Sequence, residues 1–150
     1  MSVANLFECT VAYEKMMENG MQKKVSEPYI VKAYSFTEAE AVITDFIKPY
    51  ITGEFSIKSI KRCKCNEIVE DANGDRYFNA IISMITLDEK SGKEKKTRVP
   101  LVVQANDMDG ALDNLKKHMS GSMADYEVAK LEESKIMDVV LDVNVSVKTV

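Results

Sequence analysis

The sequence feature that most constrains the fold is an internal repeat. The segments QKKVSEPYIVKA, residues 22–33, and EKKTRVPLVVQA, residues 94–105, align without a gap at an offset of 72 residues. The same offset pairs Gly20 with Gly92. A chain of 150 residues therefore contains two diverged copies of one unit, and we expect both copies to form the same elements in the same order.

Each copy is predicted to begin with a β-hairpin. Residues 7–13 alternate between apolar and polar side chains, which is the period of a half-buried strand. The Asn-Gly pair at 19–20 and the Ser-Gly pair at 91–92 favour the positive φ angles of tight hairpin turns. Because proline lacks the N–H that a ladder needs, Pro28 and Pro100 are expected at a strand start, a bulge or a sheet edge.

A helix and a third strand are predicted to complete each copy. Ser35 and Asp107 are the expected N-caps, and Pro49 discourages continuation of the first helix. The third strands are expected at about residues 55–65 and 126–131. Apolar residues at helical spacing form the predicted helix stripes: Phe36, Ala39, Val42, Ile43, Phe46 and Ile47 in the first copy, and Met108, Ala111, Leu112, Leu115 and Met119 in the second.

The predicted fold class is α+β, with tandem pseudo-symmetric ββαβ repeats whose two helices pack on antiparallel-rich β-sheet. The first repeat is assigned to residues 1–70 and the second to residues 71–150, together forming one compact unit. The alternation of Val143, Val145 and Val147 with polar residues predicts an extra C-terminal strand at a sheet edge. One shared sheet and two smaller sheets both fit the pattern.

Composition limits the class of protein and the compartment. Hydrophobic residues make up 45% and charged residues 29% of the chain, which is ordinary globular usage. The N-terminal segment lacks the pattern of a signal peptide, and no stretch approaches the ~20 apolar residues of a membrane span. Three cysteines and nine methionines favour a reducing compartment, so we expect a cytoplasmic protein.

Motifs for catalysis or metal binding are weak. Cys63 and Cys65 resemble half of a zinc site that Cys9 and His118 would complete, but the spacing is not that of a zinc knuckle, so packing cysteines are the preferred interpretation. The EDANGD stretch at 70–75 lacks the glycine and glutamate that a calcium loop requires, and indicates a turn. Without a nucleophile elbow or a glycine-rich phosphate loop, we expect no enzyme activity and no cofactor.

The basic residues form the candidate binding site. Two Lys-Lys pairs recur at equivalent positions of the repeat, so two hairpins and a third strand can present cations to phosphate groups, with Tyr13, Tyr29 or Tyr34 as stacking partners. Glutamates interleaved with these lysines reduce the positive electrostatic potential of the hairpins. Lysines also occur at sheet edges for another reason, because they protect the edges from aggregation. The candidate nucleic-acid-binding residues are Lys23, Lys24, Lys58, Lys61, Arg62, Lys64, Lys93, Lys95, Lys96 and Arg98.

Four segments carry a resemblance to a known family: FECTVAYEKMMENGMQKKVSEPYIVKAYSFTEAEA, ITGEFSIKSIKR, FNAIISMITLDEKSGKEKK and GSMADYEVAKLEESKIMDVV. With these the chain resembles an uncharacterised domain-of-unknown-function family of gut Bacteroidetes and of their phages. The resemblance spans nearly the whole chain except the VNVSVKTV tail. It implies bacterial cytoplasm, or host cytoplasm for a phage-encoded protein, and it transfers no activity and no site residue.

The function predicted from these observations is a non-catalytic binding protein, in particular a phage-type accessory protein for single-stranded nucleic acid. The alternative is a protein–protein interaction module, such as a phage assembly factor, a virion component or an inhibitor of a host system. The net charge of −4 and the exposed hairpin edges favour the alternative, because an unpaired edge accepts a strand from a protein partner or a second copy. No membrane partner is expected.

Overall fold

The computed structural model describes residues 4–141 and has the predicted α+β fold. The Val143–Val147 prediction lies outside the described residues. Neither helix in the described range has the length and apolarity that crossing a bilayer requires. The elements are β1 (Asn5–Met16), β2 (Gln22–Ala33), α1 (Phe36–Ile47), β3 (Phe55–Arg62), β4 (Glu67–Val69), β5 (Arg76–Leu87), β6 (Glu94–Ala105), α2 (Met108–Met119), β7 (Asp125–Glu133) and β8 (Val139–Val140), with a 3-10 turn at Lys48–Tyr50.

Within residues 4–141 the strands form two four-stranded sheets with the orders β3-β1-β2-β8 and β4-β6-β5-β7. All pairs are antiparallel except β2 with β8 and β6 with β4, which are parallel. The two sheets have matching registers: Ile30 pairs with Val139 in one, and Val102 pairs with Ile68 in the other. These matching pairs support the interpretation of two copies and answer the question of one sheet or two.

The chain divides into two compact units, and the first is built from two separate segments. Among the described residues, unit 1 contains 4–63 and 135–141, whereas unit 2 contains 64–134. The segment that follows β3 therefore supplies β4 to unit 2, and the segment that follows β7 returns to supply β8 to unit 1. The boundary between sequence copies at residues 70 and 71 stays a prediction, whereas the compact units divide after residues 63 and 134.

The core of each unit lies between one sheet face and one helix. The predicted alternation in β1 is confirmed, because Phe7, Cys9 and Val11 are fully buried. Burying one such apolar side chain stabilises a fold by about 1.5–3 kcal/mol, so these rows fix which sheet face receives the helix. The core of unit 1 is completed by Tyr29, Val31, Ala33, Ala39, Val42, Ile43, Ile47 and Val140, and that of unit 2 contains Val69, Phe78, Ala80, Ile82, Leu101, Val103, Ala105, Ala111 and Leu115.

The predicted helix caps are confirmed. The Oγ of Ser35 accepts a hydrogen bond from the Glu38 N–H at 3.1 Å, and the Oδ1 of Asp107 accepts one from the Gly110 N–H at 2.7 Å. One residue of each predicted stripe is not buried, because Phe36 is 47% exposed and Met108 is 44% exposed. Both are the first residue of their helix, where a side chain projects back beyond the helix end.

Both predicted hairpins form, but the prediction that the first turn uses an Asn-Gly pair with two positive φ angles is wrong. Gly20 has φ 83° and Gly92 has φ 71°, whereas no non-glycine residue among those described has a positive φ. The loop after β1 is wider than a two-residue turn, since the Met17 N–H donates to the carbonyl oxygen of Met21. A single left-handed residue then suffices, and glycine adopts it without steric cost.

Pro28 and Pro100 lie inside their strands, at the sheet edge that the short parallel strands begin to cover. The Met137 N–H donates to the Pro28 carbonyl at 2.9 Å, and the Asn66 N–H donates to the Pro100 carbonyl at 2.8 Å. The N and C=O groups of one strand residue point to the same side, so each proline nitrogen faces away from the antiparallel partner strand. No antiparallel ladder bond is lost, which confirms the predicted edge position.

Candidate nucleic-acid interface

An open cleft of about 830 Å³ lies in unit 1 against the hairpin of β1 and β2 and the start of β3. Its strand residues lie mainly on the sheet face opposite α1, because they alternate with the buried row of β1. Ala12, Ser26 and Ser56 are aligned across the three strands and have small side chains. These small residues leave the room above the sheet that larger side chains would fill.

Charged side chains of both signs surround this cleft. Lys24 and Lys58, two of the predicted binding residues, line it together with Glu14 and Glu54. Lys24 lies directly opposite Glu14 across β1 and β2. Lys58 is the extra residue of a β-bulge, because Thr10 pairs with Ser59 and Val11 pairs with Ile57. Alternation from Ser56 places Lys58 on the cleft face, and the extra residue makes Ser59, paired with Thr10, follow on the same face.

An arginine and two aromatic rings form a second feature of the same strand. The Cζ of Arg62 lies 5.8 Å from the ring centroid of Phe7 and 5.9 Å from that of Phe36. The two rings meet edge to face with centroids 4.9 Å apart. The geometry is that of a cation–π contact, which holds the guanidinium in place beside a half-exposed ring. Sequence reasoning found Arg62 but assigned Phe36 to the buried stripe, and only the pairing of β3 with β1 reveals the contact.

The three predicted stacking tyrosines differ in their exposure. Tyr29 is 7% exposed and packs edge to face on Phe46, so its ring offers little surface to a base. The hydroxyl of Tyr13 donates to Glu27 Oε1 at 2.8 Å, and burial together with this hydrogen bond raises the pKa of Tyr13 to about 12. Tyr34 is 47% exposed. The aromatic rings of unit 1 that are open to a ligand therefore include Tyr34 and Phe36.

Two of the remaining predicted cations, Lys61 and Lys96, have carboxylate partners. Lys61 Nζ lies 3.5 Å from Glu8 Oε2, and Lys96 Nζ lies 3.5 Å from Glu127 Oε2. Lys23 pairs with Lys15 on the helix-side face of the hairpin, opposite to the face of Lys24. The predicted residues in unit 2 are Lys64, Lys93, Lys95, Lys96 and Arg98, whereas Lys23, Lys24, Lys58, Lys61 and Arg62 lie in unit 1.

The residues weighed for metal binding lie in different surroundings. Cys9 is buried in the core of unit 1, and desolvation raises the pKa of its thiol to about 12, which disfavours the thiolate that a metal requires. In unit 2, His118 Nε2 lies 2.9 Å from Glu67 Oε1. Among residues 4–141, no group of three His, Cys, Asp or Glu side chains is arranged to hold a metal ion.

The turn before β5 is a polar cluster that sequence reasoning described only as a solvated turn. Asp71 Oδ2 accepts a hydrogen bond from Asn114 Nδ2 at 2.9 Å, and Asp71 Oδ1 accepts one from the Asn73 N–H at 3.0 Å. Gln104 joins the cluster by donating from Nε2 to the Gly74 carbonyl at 2.9 Å. These bonds tie the turn to α2 and β6, so we interpret the cluster as structural.

The fold and its basic edge together define an α+β protein of two four-stranded sheets, each packed against one helix, with a lysine- and arginine-bearing strand at the outer edge of the first sheet. Residues 5–142 match the family described as Domain of unknown function (DUF4494), and the chain belongs to that family. A search of curated proteins finds no match to the chain.

Proposed function

We propose that the protein is a non-catalytic accessory protein that binds single-stranded nucleic acid through unit 1. The observation that carries the proposal is the outer strand β3, which bears Lys58, Lys61 and Arg62 and no carboxylate. Because Lys61 lies 3.5 Å from Glu8 of β1, the three cations counted as phosphate ligands are Lys58 and Arg62 of β3 and Lys24 of β2. Phosphate groups attract such a strand, and each cation that neutralises a phosphate releases a counterion. Lys24 and Lys58 face the cleft, whereas Arg62 pairs with Phe7 on the helix-side face, so a bound strand would cross the outer edge of the sheet at β3.

The contact between Arg62 and Phe36 supports a single-stranded rather than a double-stranded ligand. Proteins that bind single strands without sequence preference combine a cationic track with aromatic rings on which unpaired bases stack. Phe36 and Tyr34 are half-exposed, near one another in the chain, and Phe36 lies beside the Arg62 guanidinium. Each base stacked on such a ring is worth about 1–3 kcal/mol.

We assign unit 2 no direct role in binding nucleic acid. Its predicted cations are accompanied by carboxylates: Lys96 bonds to Glu127, and Arg98 lies in the same cross-strand row as Glu127, with Ser83 of β5 between them. The sequence resemblance to proteins of Bacteroidetes and their phages supports a bacterial cytoplasmic setting, either that of the bacterium itself or that of an infected host.

Fluorescence anisotropy with labelled oligothymidylate tests the proposal. Three neutralised phosphates give a logarithmic salt slope of about −2, so raising salt from ~50 to ~200 mM should weaken binding roughly twentyfold. Competition with a duplex of the same length should leave the single strand preferred. Absence of binding at ~50 mM salt would reject the proposal.

The second candidate function is a protein-interaction module that accepts a strand from a phage or host protein. The supporting observation is that, within residues 4–141, the outer edges of β3 and β7 pair with no other strand. Unpaired edges bind extended peptides by backbone hydrogen bonding. Affinity capture from the native cell, followed by reconstitution with the purified candidate, would distinguish this function from nucleic-acid binding.

A further inference from the structure

The strands β3 and β7 occupy equivalent places in their own sheets. In the part of the chain that the structure describes, each is the outermost strand, β3 beside β1 and β7 beside β5. Each also carries one bulged residue at the matching position, Lys58 in β3 and Ala129 in β7. The two edges are therefore alternative versions of one structural element, and their side chains can be compared position by position.

The charges of the two edges are opposite at matching positions. Lys61 and Arg62 pair with Glu8 and Phe7 of β1, whereas Glu132 and Glu133 pair with Asn79 and Phe78 of β5. β3 carries only positive charges, and β7 is predominantly negative. The charged residues of β3 are Lys58, Lys61 and Arg62, and those of β7 are Asp125, Glu127, Lys130, Glu132 and Glu133.

The apolar positions of β3 are also apolar in β7, although the charged positions differ in sign. Phe55, Ile57 and Ile60 of β3 are only partly buried against the core of unit 1, and Tyr126, Val128 and Leu131 of β7 are only partly buried against that of unit 2. A strand added at either edge would cover these half-buried side chains further. Burial of apolar area then adds to the backbone hydrogen bonds that strand addition supplies.

We propose that β3 of one molecule pairs with β7 of a second copy, so that the protein assembles head to tail. Opposite charges favour this pairing, and like charges oppose pairing of β3 with β3 or of β7 with β7. The ion pairs that these charges form within one molecule lie at the surface, where such pairs contribute little: Lys61 with the half-buried Glu8, and Lys130 with Glu132. Because the two paired surfaces differ, the assembly is heterologous and forms a ring or an open chain.

Sedimentation velocity of the purified protein without nucleic acid tests this proposal. The weight-average sedimentation coefficient should rise with protein concentration, and added salt should reduce the rise. The variants K61E/R62E and E132K/E133K each present two edges of like charge, so each should lose association by roughly tenfold or more. An equimolar mixture of the two variants should associate again, because each supplies the complement of the other.

Recovery in the mixture also shows that both variants are folded, since a misfolded edge would not pair. The proposal is overturned if the wild-type protein remains monomeric at low salt, if E132K/E133K associates like the wild type, or if the mixture does not recover. The wild-type protein can also be tested with an added peptide of the β7 sequence DYEVAKLEE. If the protein is monomeric but binds this peptide, β3 pairs with a different protein, and self-assembly is overturned. The E132K/E133K substitutions lie outside the proposed nucleic-acid surface, so the two proposals fail independently.

Discussion

The N–H of Met137 donates a hydrogen bond to the carbonyl oxygen of Pro28 at 2.9 Å, although more than a hundred residues separate the two in the chain. Next to this bond, the Ile30 N–H donates to the Asp138 carbonyl at 3.1 Å. These contacts begin the parallel pairing that places β8 on β2. The first sheet is thus completed by a segment that follows the whole of unit 2.

Substitution of Val140 by alanine should destabilise unit 1 selectively. Val140 is 8% exposed and belongs to the core of unit 1, so removing its two methyl groups should cost about 1–3 kcal/mol. The matched control is Val69→Ala, which removes an equally buried valine from β4 of unit 2. Native-state hydrogen exchange should show reduced protection at Ile30 in the first variant and in β6 in the second. Equal loss in both units for V140A would contradict the assignment of β8.

Gly74→Ala should destabilise unit 2 by about 1–3 kcal/mol or more, because the added Cβ has no room. That atom would lie 2.7 Å from the Cα and the backbone N of Ala105, and backbone atoms do not move aside easily. Gly121→Ala is the control, since its Cβ would meet nothing within 4 Å. Urea denaturation measures both variants, and a G74A midpoint equal to that of G121A would show that the turn adjusts freely.

The polar cluster at Asp71 should make unit 2 less stable in acid. The hydrogen bonds from Asn114 and then from the Asn73 N–H hold the pKa of Asp71 below its ordinary value. A carboxyl whose folded-state pKa is lowered stabilises the fold above its unfolded-state pKa, and this contribution is lost as pH falls through the folded-state pKa. We therefore expect the free energy of unfolding to fall as pH drops below about 4.

The variant Asn114→Ala isolates this effect. It removes the first of the hydrogen bonds, so the pKa of Asp71 should rise toward its ordinary value in an NMR titration of the carboxyl carbons. Asp88 serves as an internal control, because its lowered pKa is caused by the Lys90 N–H and by Ser91 in a distant turn. If the pKa of Asp71 in N114A equals that in the wild-type protein, the Asn114 hydrogen bond is not what lowers the pKa of Asp71.

Lys24→Ala and Lys58→Ala should each weaken binding to oligothymidylate and reduce the magnitude of the logarithmic salt slope by about 0.7, because each removes one phosphate-neutralising cation. Lys96→Ala is the matched control, since Lys96 holds the place equivalent to Lys24 in unit 2 but bonds to Glu127. Its slope should equal that of the wild type. An equal loss of affinity in all three variants would indicate that oligothymidylate is attracted by the overall distribution of lysines and not by a site in unit 1.

Local sequence signals were sufficient for the hairpins, the helices and their caps. Alternation over long strands and a serine or aspartate before an apolar helix are short-range patterns, so Ser35 and Asp107 were identified correctly. The strands β4 and β8 were not predicted as such, since they contain three and two residues. So short a strand has no periodicity of its own, and only its parallel partner in a distant segment defines it.

The candidate site was predictable only in its residue types. The basic stretch in β3 was visible in the sequence, but the neutralising contact of Lys61 with Glu8 depends on how β3 registers against β1. The bulge at Lys58 and the ring contact of Arg62 depend on the same register. Residue types identify possible ligands, whereas the pairing of strands decides which side chains remain available.

The crossing of the chain between its two units has a consequence for synthesis on the ribosome. All strands of unit 2 have emerged once residue 134 has left the exit tunnel, whereas unit 1 still lacks β8. The hairpin of β1 and β2 is synthesised early, but part of the β2 edge stays unpaired until residues 139 and 140 have emerged from the ribosome. Synthesis of unit 1 therefore begins before that of unit 2, but the sheet of unit 1 is completed after that of unit 2.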